Sequence, residues 1–184
     1  MVKNMNYCVL KNFLYKVGEL KSIKRSGWVR NKIPNSESVA DHSFRTAFMA
    51  MILGDALEVD SCKLIKMALI HDLAESITGD ITPHDGISRE EKQRKEEIGI
   101  QQLLKDVPNE QELMDLWIEY EEQKSRESLI LKNIDKLEMV IQALEYQKTF
   151  PDRDLSEFIL GAERELNIPE ILDLFKEVRS EDKN

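Results

Sequence analysis

A histidine and an aspartate stand side by side at the end of an apolar run, at His71 and Asp72. Glu75 follows one helical turn later, and Asp80 follows shortly after it. Imidazoles and carboxylates bind divalent metals and move protons in active sites. Because hydrophobic residues rarely lead straight into such a cluster, the stretch from Leu69 to Asp80 predicts a divalent-metal site.

His42 and Asp135 are further candidates for this site. His42 lies on an otherwise largely apolar face of a helix predicted over about residues 38–56. Alone it would more simply be a hydrogen-bonded core histidine, but His71 on a similar face favours a metal ligand. Asp135 borders the apolar stripe of a helix predicted over residues 125–149. It is either a solvated boundary residue or a ligand, and the pattern alone favours the first.

Two imidazoles and two carboxylates suit octahedral Mn²⁺, Co²⁺, Fe²⁺ or Mg²⁺ with positions open for water. A metal with open positions can polarise a phosphoryl oxygen and lower the pKa of a bound water. A closed zinc site is not indicated, because Cys8 and Cys62 form no CxxC pair. The two isolated cysteines also argue for a reducing, cytoplasmic compartment.

The composition predicts a helical protein without a nucleic-acid or membrane partner. A length of 184 residues suffices for one well-filled domain, and few glycines (7) and prolines (5) argue against a many-turned β architecture. The net charge of −9 argues against general nucleic-acid binding, so a phosphate-bearing substrate needs local cations or a metal. No apolar run approaches the roughly 18 residues of a membrane span.

Every segment with a clear hydrophobic period is helical. The predicted helices cover residues 4–22, 38–56, 88–107, 125–149, 154–166 and 169–179, with one more after Pro108. Another helix, capped by Asp60 or Ser61, carries His71 and Glu75 on one face of its C-terminal turns. The charged helix over residues 88–107 is most simply a solvated face with ion pairs four residues apart.

The connector from Lys24 to Pro34 breaks the helical pattern and is expected to be an ordered loop. It is basic in an acidic protein and contains Trp28, which makes it a candidate contact for an anion or a base. The alternative is a solvated loop with Trp28 packed into the core.

The order His42, His71-Asp72 and Asp135 resembles the H…HD…D signature of the HD-domain metal-dependent phosphohydrolases. The surrounding sequence is similar to the 5′-deoxynucleotidase branch of that family, in the stretches ESVADH (37–42), HDLAE (71–75), GDITP (79–83) and EEK (90–92). The resemblance covers about residues 10–178. It implies an all-α fold: a single HD-domain bundle over residues 1–184, with a metal-site core of five to six helices at about 36–149 and extra C-terminal helices at about 154–179.

The resemblance also implies the reaction, the hydrolysis of deoxyribonucleoside 5′-monophosphates to nucleoside and phosphate, and a homodimer. Its principal metal would be held by His42, His71, Asp72 and Asp135. Mn²⁺, Co²⁺ or Mg²⁺ is expected there, and Fe²⁺, Ni²⁺ and Zn²⁺ are compatible.

Glu75 and Asp80 match acids that act on the attacking water and the leaving group in relatives. In some relatives the same acids hold a second cation together with the backbone of the next residue, here Ile81. Trp28 matches a tryptophan near the sugar or base. Bacterial relatives have an arginine just before it, where this chain has Gly27, so Arg25, Arg30 or Lys32 of the connector is the candidate phosphate contact.

Two alternatives stay open at this stage. Other HD enzymes cleave phosphodiesters, nucleoside triphosphates or alarmones, and they share the metal core. The chain could instead be a non-catalytic nucleotide-binding module, although the intact acids Glu75 and Asp80 argue against it. His84 has no matching role and is expected to be an exposed loop residue.

Overall fold

The computed structural model describes residues 6–181, where all regular structure is helical apart from one isolated bridge between Lys24 and Ser38. The helices are α1 (Tyr7–Glu19), α2 (Ser26–Arg30), α3 (Val39–Ala56), α4 (Ser61–Ile70), α5 (Glu75–Thr78), α6 (Arg89–Leu104), α7 (Glu110–Glu122), α8 (Arg126–Thr149), α9 (Ser156–Glu165) and α10 (Pro169–Glu181). One 3₁₀ turn, Pro83–Asp85, precedes α6. The predicted all-α class is confirmed. None of the described helices combines the length and hydropathy needed to cross a bilayer.

Side-chain caps determine where the longer helices begin. The Ser38 hydroxyl accepts the Asp41 N–H, and the Asp41 carboxylate accepts the Ser38 N–H, which makes a capping box at the start of α3. Asp60 caps α4 and Ser88 caps α6 in the simpler one-way manner. These caps place the helix starts within a residue of the positions predicted from the sequence.

Two segments differ from the sequence prediction. The expected loop over residues 24–34 contains the helix α2, whose five residues are too few to show a helical period. The helix that was expected to carry both His71 and Glu75 ends at Ile70. Beyond that residue the amides bond three residues back, as in Leu73 N–H to the Ile70 carbonyl, and the chain tightens into turns before α5. The predicted helix over residues 4–22 begins at Tyr7, and its share of residues 1–5 lies outside the described part.

The long helix α8 lies at the centre of the core and packs against α3, α4, α7, α9 and α10. Its predicted stripe is buried at Ile130, Ile134, Leu137 and Leu144. Asp135 and Glu138 project from the same helix and are also buried. The element that organises the core therefore also places two carboxylates inside it.

Asn133 on α8 holds the connection between α9 and α10. Its side-chain carbonyl accepts the N–H groups of Asn167 at 2.8 Å and Ile168 at 3.1 Å, and its amide donates to the Leu129 carbonyl at 2.9 Å. The side chain is buried, so it replaces water as the partner of these backbone groups.

We expect Asn133→Ala to lower the free energy of unfolding by about 2 kcal/mol, because two backbone donors lose their acceptor. Urea denaturation followed by circular dichroism measures this loss. Gln102→Ala, at an exposed site of α6, is the control and should change stability by less than about 0.5 kcal/mol. Equal midpoints for the two variants would contradict the assigned role of Asn133.

Candidate metal centre and active site

Four ligand-type side chains converge from three parts of the chain. His42 comes from α3, His71 and Asp72 from the turns after α4, and Asp135 from α8. His42 Nε2 lies 3.6 Å from Asp72 Oδ2 and 3.3 Å from Asp135 Oδ1, and His71 Nε2 lies 3.3 Å from Asp72 Oδ2. The structure thus brings together all four residues that the sequence proposed as metal ligands.

His71 is oriented by the end of α4, which it caps. Its Nδ1 contacts the Ala68 carbonyl oxygen at 2.7 Å, so the proton on that nitrogen is donated to the backbone. This contact leaves Nε2 as the nitrogen with a free lone pair, aimed at Asp72. A backbone hydrogen bond that fixes the tautomer of a ligating histidine is a common feature of metal sites.

His42 is oriented by a carboxylate that the sequence analysis missed. Its Nδ1 donates to Glu138, which also accepts the Arg45 Nε–H at 2.8 Å. Burial and the charge of Arg25 act to lower the pKa of His42, but Glu138 and Asp135 outweigh them and raise it to about 9. The sequence signal that could have identified this pair was spacing, because Arg45 and Glu138 each follow a candidate ligand on their helix by three residues.

The atoms left without partners fit a divalent cation. Within residues 6–181, His42 Nε2, His71 Nε2 and Glu75 Oε2 are buried and have no hydrogen-bond partner. Burial opposes ionisation of Asp72, but His71, Arg25 and His42 hold the pKa of that carboxyl well below its usual range. Once a metal displaces the Nε2 proton of His42, two imidazole nitrogens beside an ionised carboxylate form a donor set that a divalent metal satisfies.

Glu75 and Asp80 stand beside the four candidate ligands. Burial, together with the charges of Asp72 and Asp80, raises the pKa of Glu75 well above its usual range. Asp80 has one carboxylate oxygen occupied, since Oδ2 accepts the Ser26 N–H at 2.6 Å, and its backbone carbonyl accepts the Ser26 hydroxyl at 2.6 Å. The two acids therefore differ: Glu75 has a free oxygen in an enclosed place, and Asp80 anchors α2.

Three adjoining cavities surround these residues. The metal chamber, of about 170 Å³, is bordered by three of the candidate ligands, His71, Asp72 and Asp135, together with Glu75 and Asp80. The Trp28 cleft, of about 370 Å³, opens from it between α2, the loop after α5, and α9. The outer cleft, of about 610 Å³, lies on the other side, between α6, α7 and α8. The chamber shares Arg25, Asp80, Lys92 and Met139 with the Trp28 cleft.

Trp28 is both packed in the core and adjacent to a cleft. Only 1% of its surface is exposed, and its indole N–H donates to Glu37 at 2.7 Å. Its ring lies 4.4 Å from that of Phe158 and 5.4 Å from that of Tyr146. A side chain at Gly27 would place its Cβ 2.9 Å from the Phe158 ring, so Phe158 fills the space that a larger residue there would need.

The cations of the connector occupy different places. Arg25 reaches the metal chamber, where Nη1 lies 3.3 Å from Asp72 Oδ2. Arg30 borders only the Trp28 cleft and pairs with Glu157 at 3.1 Å. Lys32 is exposed at the end of α2, with a φ of 55°, and borders none of the three cavities. The structure therefore does not bring Lys32 together with the other predicted site residues. Ile81 and the exposed His84 also border the Trp28 cleft.

The sequence predicted that the charged helix α6 is solvated along its length. The structure shows that one of its faces is not. Lys92 and Glu96 face inward and border the metal chamber, and Glu96 is buried. Lys95 and Glu91 form the same kind of pair on the exposed side of the helix. The spacing within α6 is equal for both pairs, so the sequence pattern did not distinguish them.

Known proteins resemble this chain in sequence and in fold. Residues 17–171 match the family model of the HD domain. The human 5′-deoxynucleotidase HDDC2 is 42% identical over 177 residues, which cover 94% of this chain and 85% of the relative. The Dictyostelium discoideum protein of the same name is 46% identical over 140 residues, 71% of this chain and 74% of the relative. A solved structure of a conserved hypothetical protein from Pyrococcus furiosus superposes with a TM-score of 0.79 at 34% identity, covering 92% and 98% of the two chains.

We expect Mn²⁺ or Co²⁺ to raise the melting temperature of the chelator-treated protein, because the ligand set exists only in the folded state. A ligand at about 100 times its Kd adds about 2.7 kcal/mol of stability. Asp72→Ala should abolish this increase, as measured by calorimetry. Asp115→Ala, at an exposed site of α7, should retain it. An undiminished increase in the Asp72 variant would contradict the assigned metal centre.

Proposed function

The chain belongs to the HD-domain family, and we propose that it is a metal-dependent 5′-deoxynucleotidase. It hydrolyses deoxyribonucleoside 5′-monophosphates to the nucleoside and inorganic phosphate. The observation that carries this proposal is the convergence of two unpartnered imidazole nitrogens and two carboxylates beside a cleft walled by an aromatic residue. The names of the human and Dictyostelium relatives agree with it.

The cavities suit a nucleoside monophosphate. The Trp28 cleft offers apolar surface mainly from Phe158 and Met139, beside the buried Trp28, which fits a base and its sugar. The metal chamber is small and lined almost entirely by polar side chains, which suits one phosphoryl group better than a chain of two or three. We place the nucleoside in the cleft and the 5′-phosphate at the entrance of the chamber.

His42, His71, Asp72 and Asp135 hold the metal in this proposal. A bound divalent metal supplies Lewis-acid polarisation of the phosphoryl group and activation of water. Arg25 offsets the charge of Asp72, which lies 3.3 Å away, and extends positive potential towards the cleft. Glu75 keeps a proton because of its raised pKa and gives it to the leaving 5′-oxygen at the chamber wall.

A second role for the two acids is supported by the unpartnered Glu75 oxygen. In that arrangement Glu75, Asp80 and the backbone of Ile81 hold a second cation, and Glu75 is ionised when the cation is bound. The metal-content measurement below distinguishes the two roles.

We also propose Mn²⁺, Co²⁺ or Mg²⁺ as the working metal and a homodimer as the assembly. The ligand set of nitrogen and carboxylate oxygen without sulfur supports these ions.

The dimer is supported by an exposed apolar stripe on α3, where the Phe44 and Phe48 rings are 5.0 Å apart and are 64% and 50% exposed. Light scattering coupled to size exclusion measures the assembly.

A panel of nucleotides tests the function. With Mn²⁺, Co²⁺ or Mg²⁺ we expect phosphate release from dAMP and dTMP and none from the corresponding di- and triphosphates. His71→Ala and Asp72→Ala should abolish release while circular dichroism stays that of a helical protein. Cleavage of triphosphates or diesters would instead favour another HD phosphohydrolase, and tight binding without turnover would favour a non-catalytic module.

Glu75→Gln should lower kcat by about 10²- to 10⁴-fold, because an amide cannot transfer the proton. If Glu75 is a proton carrier, the number of metal ions per chain, measured by mass spectrometry after gel filtration, is the same in the variant and the wild type. A loss of one ion per chain would show that Glu75 is a second-cation ligand instead.

A further inference from the structure

Lys92 lies where the three cavities meet. Among the described residues it is the one side chain that borders the metal chamber, the Trp28 cleft and the outer cleft together. It extends from α6, and its ammonium lies 3.5 Å from Glu96. Lys92 has no role as a metal ligand or as a proton donor in the function proposed above.

The path of a nucleotide through the cavities places its phosphate beside Lys92. With the nucleoside in the Trp28 cleft, the 5′-phosphate must cross the boundary between cleft and chamber. The cations common to both spaces are Arg25 and Lys92. Arg25 is already paired with Asp72, and its charge is needed there to balance a partly buried carboxylate.

The other cations of the chamber are committed elsewhere. Lys132 lies 3.4 Å from Asp135 and 3.2 Å from the Tyr120 hydroxyl, so it supports a metal ligand. Lys136 lies 3.4 Å from Glu165. Both border the outer cleft rather than the Trp28 cleft. Of the lysines in this region, Lys92 alone can reach a phosphate at the cleft boundary.

We propose that Lys92 binds the 5′-phosphate of the substrate and that Glu96 holds its ammonium when no phosphate is present. The inference rests on the proposed function for the identity of the substrate. A lysine suits the role, because its ammonium is a compact charge on a flexible stem and can leave one anion for another. Glu96 then competes with phosphate for Lys92 and weakens phosphate binding.

The charges around Lys92 are consistent with this exchange. Burial acts to lower the pKa of Lys92, but Glu96, Glu75 and Asp72 outweigh it and keep the pKa above its usual value. The ammonium is therefore charged and attracted by several carboxylates at once. The Lys95–Glu91 pair on the exposed face of α6 is shorter, at 3.1 Å, and borders neither the chamber nor the Trp28 cleft.

The first test compares Lys92→Met with Lys95→Met in the metal-loaded full chain, using inorganic phosphate as the probe. Each variant removes one lysine of α6 that has a glutamate partner four residues away. We expect phosphate binding, measured by calorimetry, to weaken about 10- to 100-fold in Lys92→Met, the range for a lost charge-assisted hydrogen bond. Lys95→Met should stay within about twofold of the wild type. Equal affinities for the two variants would overturn the proposal.

The second test uses the competitor. Glu96→Gln should tighten phosphate binding and lower the KM for dAMP, because the ammonium is no longer held by a carboxylate. In the double variant Lys92→Met/Glu96→Gln this gain should disappear. Weaker phosphate binding in Glu96→Gln would overturn the competition. Glu96→Gln and the double variant should both retain the wild-type metal content. This control separates a change in phosphate binding from damage to the metal centre.

The two proposals fail in distinguishable ways. If the wild type releases no phosphate from any monophosphate but binds inorganic phosphate through Lys92, the nucleotidase assignment is wrong and the anion site stands. If the wild type turns over dAMP and Lys92→Met does so with unchanged KM and phosphate affinity, the nucleotidase assignment stands and the role of Lys92 is wrong.

Discussion

The buried contact between His42 and Glu138 is the interaction on which the metal centre depends. Both side chains are fully excluded from solvent, and an isolated carboxylate in such a place would cost several kcal/mol. Arg45 offsets this cost through Glu138 and is itself held by Glu145 at the surface, at 2.9 Å. The chain of contacts fixes Nδ1 of His42 and so aims Nε2 at Asp72 and Asp135. The packing of α3 on α8 and the geometry of the metal centre are therefore one structural feature.

A second set of contacts ties the substrate side of the site to the metal side. α2 is only five residues long and has no side-chain cap, so it depends on tertiary contacts for its position. Asp80 supplies them through Ser26, and Asp72 adds another through Arg25. Trp28, two residues further along, is thereby set at a fixed distance from the ligands. A change in the turns after α4 would move the cleft wall as well as the metal.

The sequence predicted the features that depend on local pattern. It missed those that depend on how the helices pack in the tertiary structure. The helix starts follow from caps, and the three candidate ligand positions His42, His71 and Asp72 follow from their polar types on apolar faces. Asp135 could not be distinguished from a boundary residue by pattern, because its burial depends on the packing of α8 against its neighbours. Lys92 and Lys95 have equivalent partners within α6, and only the position of that helix beside the chamber makes one of them an inner residue.

The distances within the chamber show how its charges are balanced. Each cation there stands 3.3 to 3.5 Å from a carboxylate: Arg25 from Asp72, Lys132 from Asp135, Lys92 from Glu96 and Lys136 from Glu165. Elsewhere Lys66 lies 2.5 Å from Glu112 and Lys176 lies 2.7 Å from Asp173. These two surface lysines each form one ion pair with a described residue, whereas several carboxylates act on Arg25 and on Lys92. Such a cation loses little electrostatic stabilisation when a dianionic phosphate replaces one of these carboxylates as its partner. A strongly acidic protein can therefore still bind an anionic substrate.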